Sequence, residues 1–377
     1  MPLMRIPYTQ PLPSPTIIPS TASSITGAVE ALQNFLSKKH DGGKTVVLSG
    51  AGISVASGLA DYRGSQGTYT LNKTYRPIYF HEFSASHEAR KRYWARSFLG
   101  WTTLNRSKPN AAHHAVEQLG QLGYISSVIT QNVDSFHPKA HPRLKTLELH
   151  GYLRSTVCLS CRTEYPRDAF QHDLSRMNPK WADFLAEMLD SGALTTEDPA
   201  KRRKLGLKTN PDGDVDVPGV EYSTFRYPPC PKCLEHTPEG KTIKIDTDGA
   251  WASGSNAGIL KPAVIMFGES IPNPVKLAVE TAVDNADSVL VLGSSLATYS
   301  AWRLIKRAKE QGKKIAAVNM GGIRGEEAFF QHLSASGDGS EGVRCGLPLE
   351  QTLPALVKAL QDRTDHAAFQ IAPWAHR

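Results

Sequence analysis

Five short apolar runs in this chain each end on a polar or glycine-rich segment, and that recurrence constrains the fold more than any other feature. Thr45-Val46-Val47-Leu48 leads into Gly50-Ala51-Gly52, the run from Tyr124 to Thr130 ends at Gln131-Asn132, and Lys145 to Leu149 ends at His150. Ser288-Val289-Leu290-Val291-Leu292 leads into Gly293-Ser294-Ser295, and Lys314 to Val318 into Asn319-Met320-Gly321. Short runs that are apolar nearly throughout are strands covered on both faces, as in a parallel sheet between helical layers. Ala28, Val29, Leu32, Phe35 and Leu36 recur at helical spacing, so a helix is predicted over 26–39, with others around 302–310 and over 350–361. The fold class is therefore α/β with a Rossmann-like parallel sheet. Such sheets hold ligands at the carboxyl ends of their strands, so the polar segments are expected to meet in one crevice.

The stretch 158–260, rich in Pro, Gly and charge, interrupts this alternation and carries Cys158-x-x-Cys161 and Cys230-x-x-Cys233. Four thiolates in two such pairs suit a closed tetrahedral zinc site, which is structural because no position stays open for substrate. A redox dithiol needs only one pair. The expected organisation is a Rossmann-like domain over 26–157 and 258–362 with a helical insertion near 70–110. A smaller zinc-binding module with long insertions occupies 158–257, and tails occupy 1–25 and 363–377.

Composition narrows the setting. No apolar run approaches the roughly 20 residues of a membrane helix, so no membrane span is expected. A net charge of +7 admits anionic cofactors, nucleic acid or acidic partners without selecting one. Lys201-Arg202-Arg203-Lys204 is read as a solvated loop, and direct nucleic-acid contact is not expected. Cysteine pairs without a secretory segment point to a reducing compartment. Residues 1–25 hold prolines, Ser and Thr, a single Arg5 and no acid, a composition shared by mitochondrial presequences and disordered tails.

The polar segments have distinct chemistries. Gly50-x-Gly52 lets the backbone turn tightly and approach a pyrophosphate, with the charge resting on a following helix N-terminus. Val55 stands where a dehydrogenase fingerprint needs its third glycine, which argues against that class. Gln131-Asn132-Val133-Asp134 offers two amides and a carboxylate at a strand end, a set that also occurs in loop caps. His150 is a candidate base, because imidazole titrates near physiological pH.

Taken in order, Gly50-Ala51-Gly52-Ile53-Ser54, Ser57-Gly58-Leu59-Ala60-Asp61-Tyr62-Arg63-Gly64, Thr130-Gln131-Asn132-Val133-Asp134, Leu147-Glu148-Leu149-His150-Gly151 and the cysteine pairs resemble the sirtuins, from about Gly27 to Ala359. Sirtuins are NAD-dependent lysine deacylases. The resemblance implies that Gly50, Ala51, Gly52, Ser54, Asp61, Tyr62 and Arg63 line an NAD site. It implies that Gln131, Asn132 and Asp134 hold nicotinamide and its ribose, and that Gly293, Ser294, Ser295, Asn319, Gly321 and the Cys345 backbone complete the cofactor site. His150 and Asn132 would be catalytic, and the four paired cysteines would hold zinc. Gly258 to Glu269 resembles the strand that receives an acylated-lysine protein by strand addition near Val264–Glu269.

The implied reaction has the acyl oxygen attack ribose C1′ as nicotinamide leaves. His150 then deprotonates a ribose hydroxyl, and the acyl group passes to ADP-ribose. Protein ADP-ribosyl transfer at the same site, and a non-catalytic NAD- and zinc-binding interaction module, remain open alternatives. Arg92 to Trp101 and Asn210 to Val215 resemble the class II branch, typified by the mitochondrial sirtuin four of animals, so the mitochondrial matrix is the expected location, with nucleus or cytoplasm open. Leu59-Ala60 departs from the family's Ile-Pro, and loss of that proline frees the cofactor loop.

Overall fold

The computed structural model describes residues 12–37, 44–72, 75–194, 208–210, 214–217 and 219–371. Residues 201–204, and residues 211–213 of the Asn210 to Val215 segment, lie outside the described residues.

The five predicted strands, joined by a sixth that was not predicted (Gly342–Cys345), form one sheet in the order β11-β10-β9-β1-β2-β3. These are β1 (Thr45–Ser49), β2 (Ile125–Thr130), β3 (Thr146–Glu148), β9 (Ser288–Leu292), β10 (Lys314–Val318) and β11 (Gly342–Cys345). Every pairing is parallel. Side chains alternate between the two faces. Val47, Leu290, Leu292, Ala316 and Val318 join a core with the helices Ile25–Leu36, Ala111–Gln121 and the buried start of Leu349–Ile371. Val46, Leu48, Val289, Val291, Ile315 and Ala317 join a second core with Asn273–Asp284 and Tyr299–Glu310. Burial on both faces explains why β1, β9 and β10 are apolar nearly throughout, since each fully buried Val, Leu or Ile contributes about 1.5–3 kcal/mol, whereas β2 exposes Ser126 and β3 is only half-buried. No described helix is long and apolar enough to cross a membrane.

Strand order reverses at β1. The chain runs outward through β2 and β3 on one side, then returns to β9 and runs outward through β10 and β11 on the other. The loops after β1 and β9 therefore lie side by side at the switch point, where an open α/β sheet has its crevice.

A second, antiparallel sheet has the order β5-β4-β8, with β4 (Gly151–Cys158), β5 (Glu164–Pro166) and β8 (Leu260–Val264), and the short β6 (Lys208–Thr209) and β7 (Val215–Asp216) pair with each other. A separate core covers it, built from Trp94 and Phe98 of the helix His87–Arg106, from Phe170, Leu174 and Phe225, and from Cys158, Cys230 and Cys233. This body draws on residues 78–106 and 151–266, wider than the 158–257 expected. Pairing of β4 with β8 keeps both strands in one sheet, and the apolar face of the long helix packs there.

Two further expectations shift. The predicted tail ends earlier than residue 25, because Ile18 exchanges backbone hydrogen bonds with Arg344 (its N–H reaches the Arg344 carbonyl at 3.0 Å) and Ala22 is fully buried. The glycine turn leads into a seven-residue 3-10 helix, Ala51–Ser57, rather than an α-helix. Gly58, at φ +82°, closes it, and β-branched Ile53 and Val55 disfavour extension.

Candidate functional site

The loops after β1 and β9 touch backbone to backbone. Gly50 donates its N–H to the Leu292 carbonyl at 3.0 Å, and Gly52 donates to the Gly293 carbonyl at 2.9 Å. A Cβ at Gly52 would stand 2.8 Å from the Gly293 oxygen, and one at Gly293 (φ +59°) would stand 2.4 Å from the Ile53 nitrogen. Glycine at these positions is thus a steric requirement of the crevice as well as a means of close backbone approach to a ligand. Gly50, Ala51, Gly52, Ser54, Gly293, Ser294 and Ser295 are all drawn to this one place.

The floor comes from the end of β2. Asn132 and Asp134 are buried, as are Ser54 and Ser294. The Asn132 amide donates to the Gly50 carbonyl at 3.2 Å and to Ser54 Oγ at 3.2 Å. Ser54 in turn donates to Asp134 Oδ2 at 2.7 Å, and the other carboxylate oxygen accepts from the Phe136 N–H at 2.9 Å. Burial nevertheless pushes the Asp134 carboxyl above its ordinary pKa. The Gln131 amide donates to Ser294 Oγ at 2.7 Å and accepts from Thr298 Oγ1 at 3.0 Å, which ties the β2 loop to the β9 loop.

Below this floor lies a chain of polar groups that the sequence reading missed. Ser49 Oγ donates to Thr130 Oγ1 at 2.9 Å, so it must accept from His137 Nε2, 2.8 Å away. His137 Nδ1 is then left to accept from His141 Nε2 at 2.8 Å. The Asn132 N–H also reaches Thr130 Oγ1, at 3.1 Å. His137 is packed ring to ring with the fully buried His113. Burial drives His113 down to about 3 and His137 well below the ordinary histidine value, so both are neutral near pH 7. A spacing of four from His137 to His141 was the available signal.

His150 stands at the rim, one residue before β4. Its Nδ1 lies 3.1 Å from the Gln131 carbonyl, which can only accept, so Nδ1 carries the proton and Nε2 presents a lone pair. Surrounding protein pushes its pKa down to about 4, partly opposed by the Gln131 carbonyl. Ser300 Oγ lies 2.8 Å from Nε2. The carbonyl of His150 accepts from the Ile265 N–H at 2.8 Å, just past the end of β8. Strand β8 lies at the edge of its sheet.

The remaining predicted residues fall into two groups. Asp61, Tyr62 and Arg63 lie in a loop after the 3-10 turn. Asp61 Oδ1 accepts from the Gly64 N–H at 3.0 Å, Tyr62 stacks on Tyr69, and the Arg63 guanidinium lies 5.1 Å from the Tyr69 ring centre. Burial raises the pKa of Asp61 and lowers that of Arg63. Asn319, Gly321 and Cys345 gather at the ends of β10 and β11, around the fully buried Arg344. That guanidinium donates to the carbonyls of Asn319 (2.8 Å), Cys345 (2.7 Å) and Gly321 (2.6 Å) and pairs with Glu326 at 3.1 Å. Arg344 is a second organiser that motif reading overlooked. Between loop and floor, Leu59, Trp101, Leu104, Val133, Leu153 and Val264 form an apolar wall.

The four paired cysteines converge in the second body, with all Sγ atoms within 4.8 Å of one another. Cys158 and Cys233 are 3.6 Å apart, Cys161 and Cys230 3.7 Å. A zinc–sulfur distance of about 2.3 Å implies tetrahedral edges of about 3.8 Å, which the two shortest separations match, so the donor set fits a four-thiolate zinc site.

Comparison with known proteins agrees with this geometry. Residues 50–300 match the model of the Sir2 family. The NAD-dependent protein deacylase SIR4 of Batrachochytrium dendrobatidis is 39% identical over 81% of this chain and 89% of its own length. The NAD-dependent protein deacetylase of Bordetella bronchiseptica is 38% identical over 81% and 93%, and the deacylase SRT2 of Arabidopsis thaliana 38% over 75% and 68%. Among solved structures, a Sir2 homologue in complex with ADP-ribose covers 89% of this chain and 96% of its own, with TM-score 0.56 and 21% identity, a likeness of fold. A parallel sheet with a glycine crevice at its switch point, a four-cysteine cluster in a second body and a matched family model together place this chain in the Sir2 family, the sirtuins.

Proposed function

We propose that this chain is an NAD-dependent protein lysine deacylase that passes the acyl group to ADP-ribose and releases nicotinamide. The observation that carries this reading is His150, held as the Nδ1–H tautomer by the Gln131 carbonyl with Nε2 at the rim of the crevice. Names of relatives at 37–39% identity support it.

The residues fit NAD. Gly50, Ala51, Gly52 and Gly293 bring backbone within reach of a pyrophosphate, and Arg63 offers a forked cation for phosphate or ribose oxygens. Gln131, Asn132 and Asp134 supply amide donors and a carboxylate acceptor for the carboxamide and ribose, with Ser54 fixing Asp134. Ser294, Ser295, Asn319, Gly321 and Cys345 serve the adenosine end. NAD, when bound, supplies a ribose carbon with nicotinamide as leaving group. The protein's share is orientation, exclusion of water and movement of one proton. A proton moves from a ribose hydroxyl toward His150 Nε2, a role that requires the neutral ring which a pKa of about 4 secures at pH 7.

The acylated peptide adds to the free edge of β8 and its continuation toward Glu269, so the His150–Ile265 backbone bond couples the substrate strand to the base. The apolar wall around Trp101 and Val133 favours a neutral acyl-lysine stem over a free ammonium. Zinc, held by Cys158, Cys161, Cys230 and Cys233, fixes the second body and takes no part in the chemistry. The acid-free composition of residues 1–17, ahead of the part of the chain that packs on Arg344, and the class II resemblance support a mitochondrial matrix location.

The test is nicotinamide release from NAD in the presence and absence of acyl-lysine peptide. Release that requires peptide, and that falls at least 100-fold in Asn132→Ala, is expected. Release at the same rate without peptide, or none from zinc-loaded protein across several acyl groups, would overturn the reading.

A further inference from the structure

Thr298 and Ser300, two residues apart at the start of the helix Tyr299–Glu310, close a circuit around the proposed base. Thr298 Oγ1 donates to the Gln131 side-chain oxygen at 3.0 Å. The Gln131 main-chain carbonyl accepts from His150 Nδ1 at 3.1 Å. His150 Nε2 meets Ser300 Oγ at 2.8 Å, and the helix returns the path to Thr298. The imidazole is gripped at both nitrogens, and its tautomer follows from the Gln131 carbonyl. With Nδ1 protonated and the ring neutral, the only hydrogen available for the short Nε2–Oγ contact is the Ser300 hydroxyl hydrogen. The one basic atom of the base is thus already occupied by a donor.

Resting on the deacylase reading, we propose that Ser300 is the positioning residue of the base and the port through which the proton reaches Nε2. The ribose O–H bond breaks with its proton passing to Ser300 Oγ, while the Ser300 proton passes to His150 Nε2. Ser300 is left as a hydroxyl, His150 as an imidazolium hydrogen-bonded to Gln131, and the ribose oxygen keeps the electron pair with which it attacks the acyl carbon. The half-buried place of Ser300, on the first turn of a helix, suits this role. Its Oγ keeps lone pairs for a second donor, and the helix start holds the side chain against the rim.

A hydroxyl that donates to neutral Nε2 stabilises the unprotonated ring and so contributes to its low pKa. Removing it raises the His150 pKa, and the acid limb of the rate profile then moves to higher pH. Only a group acting on the base would shift that limb.

The experiment compares wild type with Ser300→Ala, Ser300→Thr and His150→Ala as full-length, zinc-loaded protein with NAD and one acyl-lysine peptide. Nicotinamide release and acyl-ADP-ribose formation are measured separately from pH 4.5 to 9. Ser300→Ala should lower acyl-ADP-ribose formation about 10- to 100-fold, within the range of general acid–base contributions. It should change the first-turnover burst of nicotinamide, read with enzyme in excess over NAD, less than threefold, because the adduct then stays on the enzyme, and it should move the acid limb of product formation upward. Ser300→Thr, which keeps the hydroxyl, should restore both. An unchanged product rate and acid limb in Ser300→Ala, with His150→Ala inactive, would overturn the Ser300 role and leave the base intact. Product formation that survives in His150→Ala would remove the base and the Ser300 role with it. Failure of Ser300→Thr to restore either quantity would reduce Ser300 to packing and also overturn the proposal.

Discussion

Three histidines near the crevice are held neutral by burial, and this gives the protein a signed dependence on pH. His113 at about 3, His150 at about 4 and His137 well below the ordinary value all bind protons more weakly in the folded chain than in the unfolded one, near 6.5. Above pH 6.5 neither state is protonated and stability does not change on their account. As pH falls from 6.5 toward 4 only the unfolded chain gains protons, so stability drops by up to about 1.4 kcal/mol per pH unit per histidine. Urea unfolding between pH 7 and pH 5 should show this fall, and His113→Gln should flatten it. An identical slope in His113→Gln would contradict the burial argument. His150 and the cysteine pairs were legible in sequence because motif and spacing single them out among 13 histidines and five cysteines. Thr298, Ser300, His137 and Arg344 were not. A hydroxyl on a helix start, or a buried arginine on a strand, becomes notable only once the fold shows which carbonyl or ring nitrogen it meets.

At the level of elements, the glycine contacts between the β1 and β9 loops make the sharpest prediction. Gly293→Ala places a methyl 2.4 Å from the Ile53 backbone nitrogen at a positive φ, where nothing flexible can yield. It should cost about 2–4 kcal/mol and weaken NAD binding at least tenfold, by the mechanisms that give large single-site effects. Gly312→Ala is the control, also at positive φ (+71°) but with nothing within 4 Å of the added carbon. It should cost about 1–2 kcal/mol of backbone strain and leave NAD binding alone. Equal NAD affinity in both variants, by calorimetry, would show that the loops are not in contact at the ligand. Sequence periodicity located β1, β2, β3, β9 and β10, most plainly β1, β9 and β10, which are buried nearly throughout, and missed β11, a four-residue strand that contains Gly342 and Arg344. It did not disclose that the turn after Gly50 is a 3-10 helix, because the close packing that shapes its start, Gly52 against Gly293, joins residues far apart in the chain, while Gly58 marks only its end.

At the level of the whole molecule, structure and chemistry separate. In the proposed reaction the sheet with its crevice supplies the NAD face and the second body supplies the substrate strand through β8, with the four-cysteine site toward the other end of that strand. Chelating the metal leaves four thiols inside a core that contains Trp94, Phe170 and Phe225. The melting temperature should fall by about 10 °C or more, since structural zinc sites contribute several kcal/mol to folding. Cobalt-substituted protein should keep catalysis within a few-fold while showing thiolate-to-metal absorption; a large change in rate would assign the metal a chemical role. The extent of the second body was hidden from sequence, because residues 78–106 and 151–266 become one core only after β4 pairs with β8. The central claim is acyl transfer to ADP-ribose. Mass spectrometry of acetyl-, glutaryl-, lipoyl- and long-chain acyl-lysine peptides incubated with NAD and zinc-loaded protein tests it most directly. At least one peptide should lose its acyl group with matching acyl-ADP-ribose, and His150→Ala should abolish that product. ADP-ribose attached to protein with every peptide intact, or free deacylated peptide formed without NAD, would contradict it.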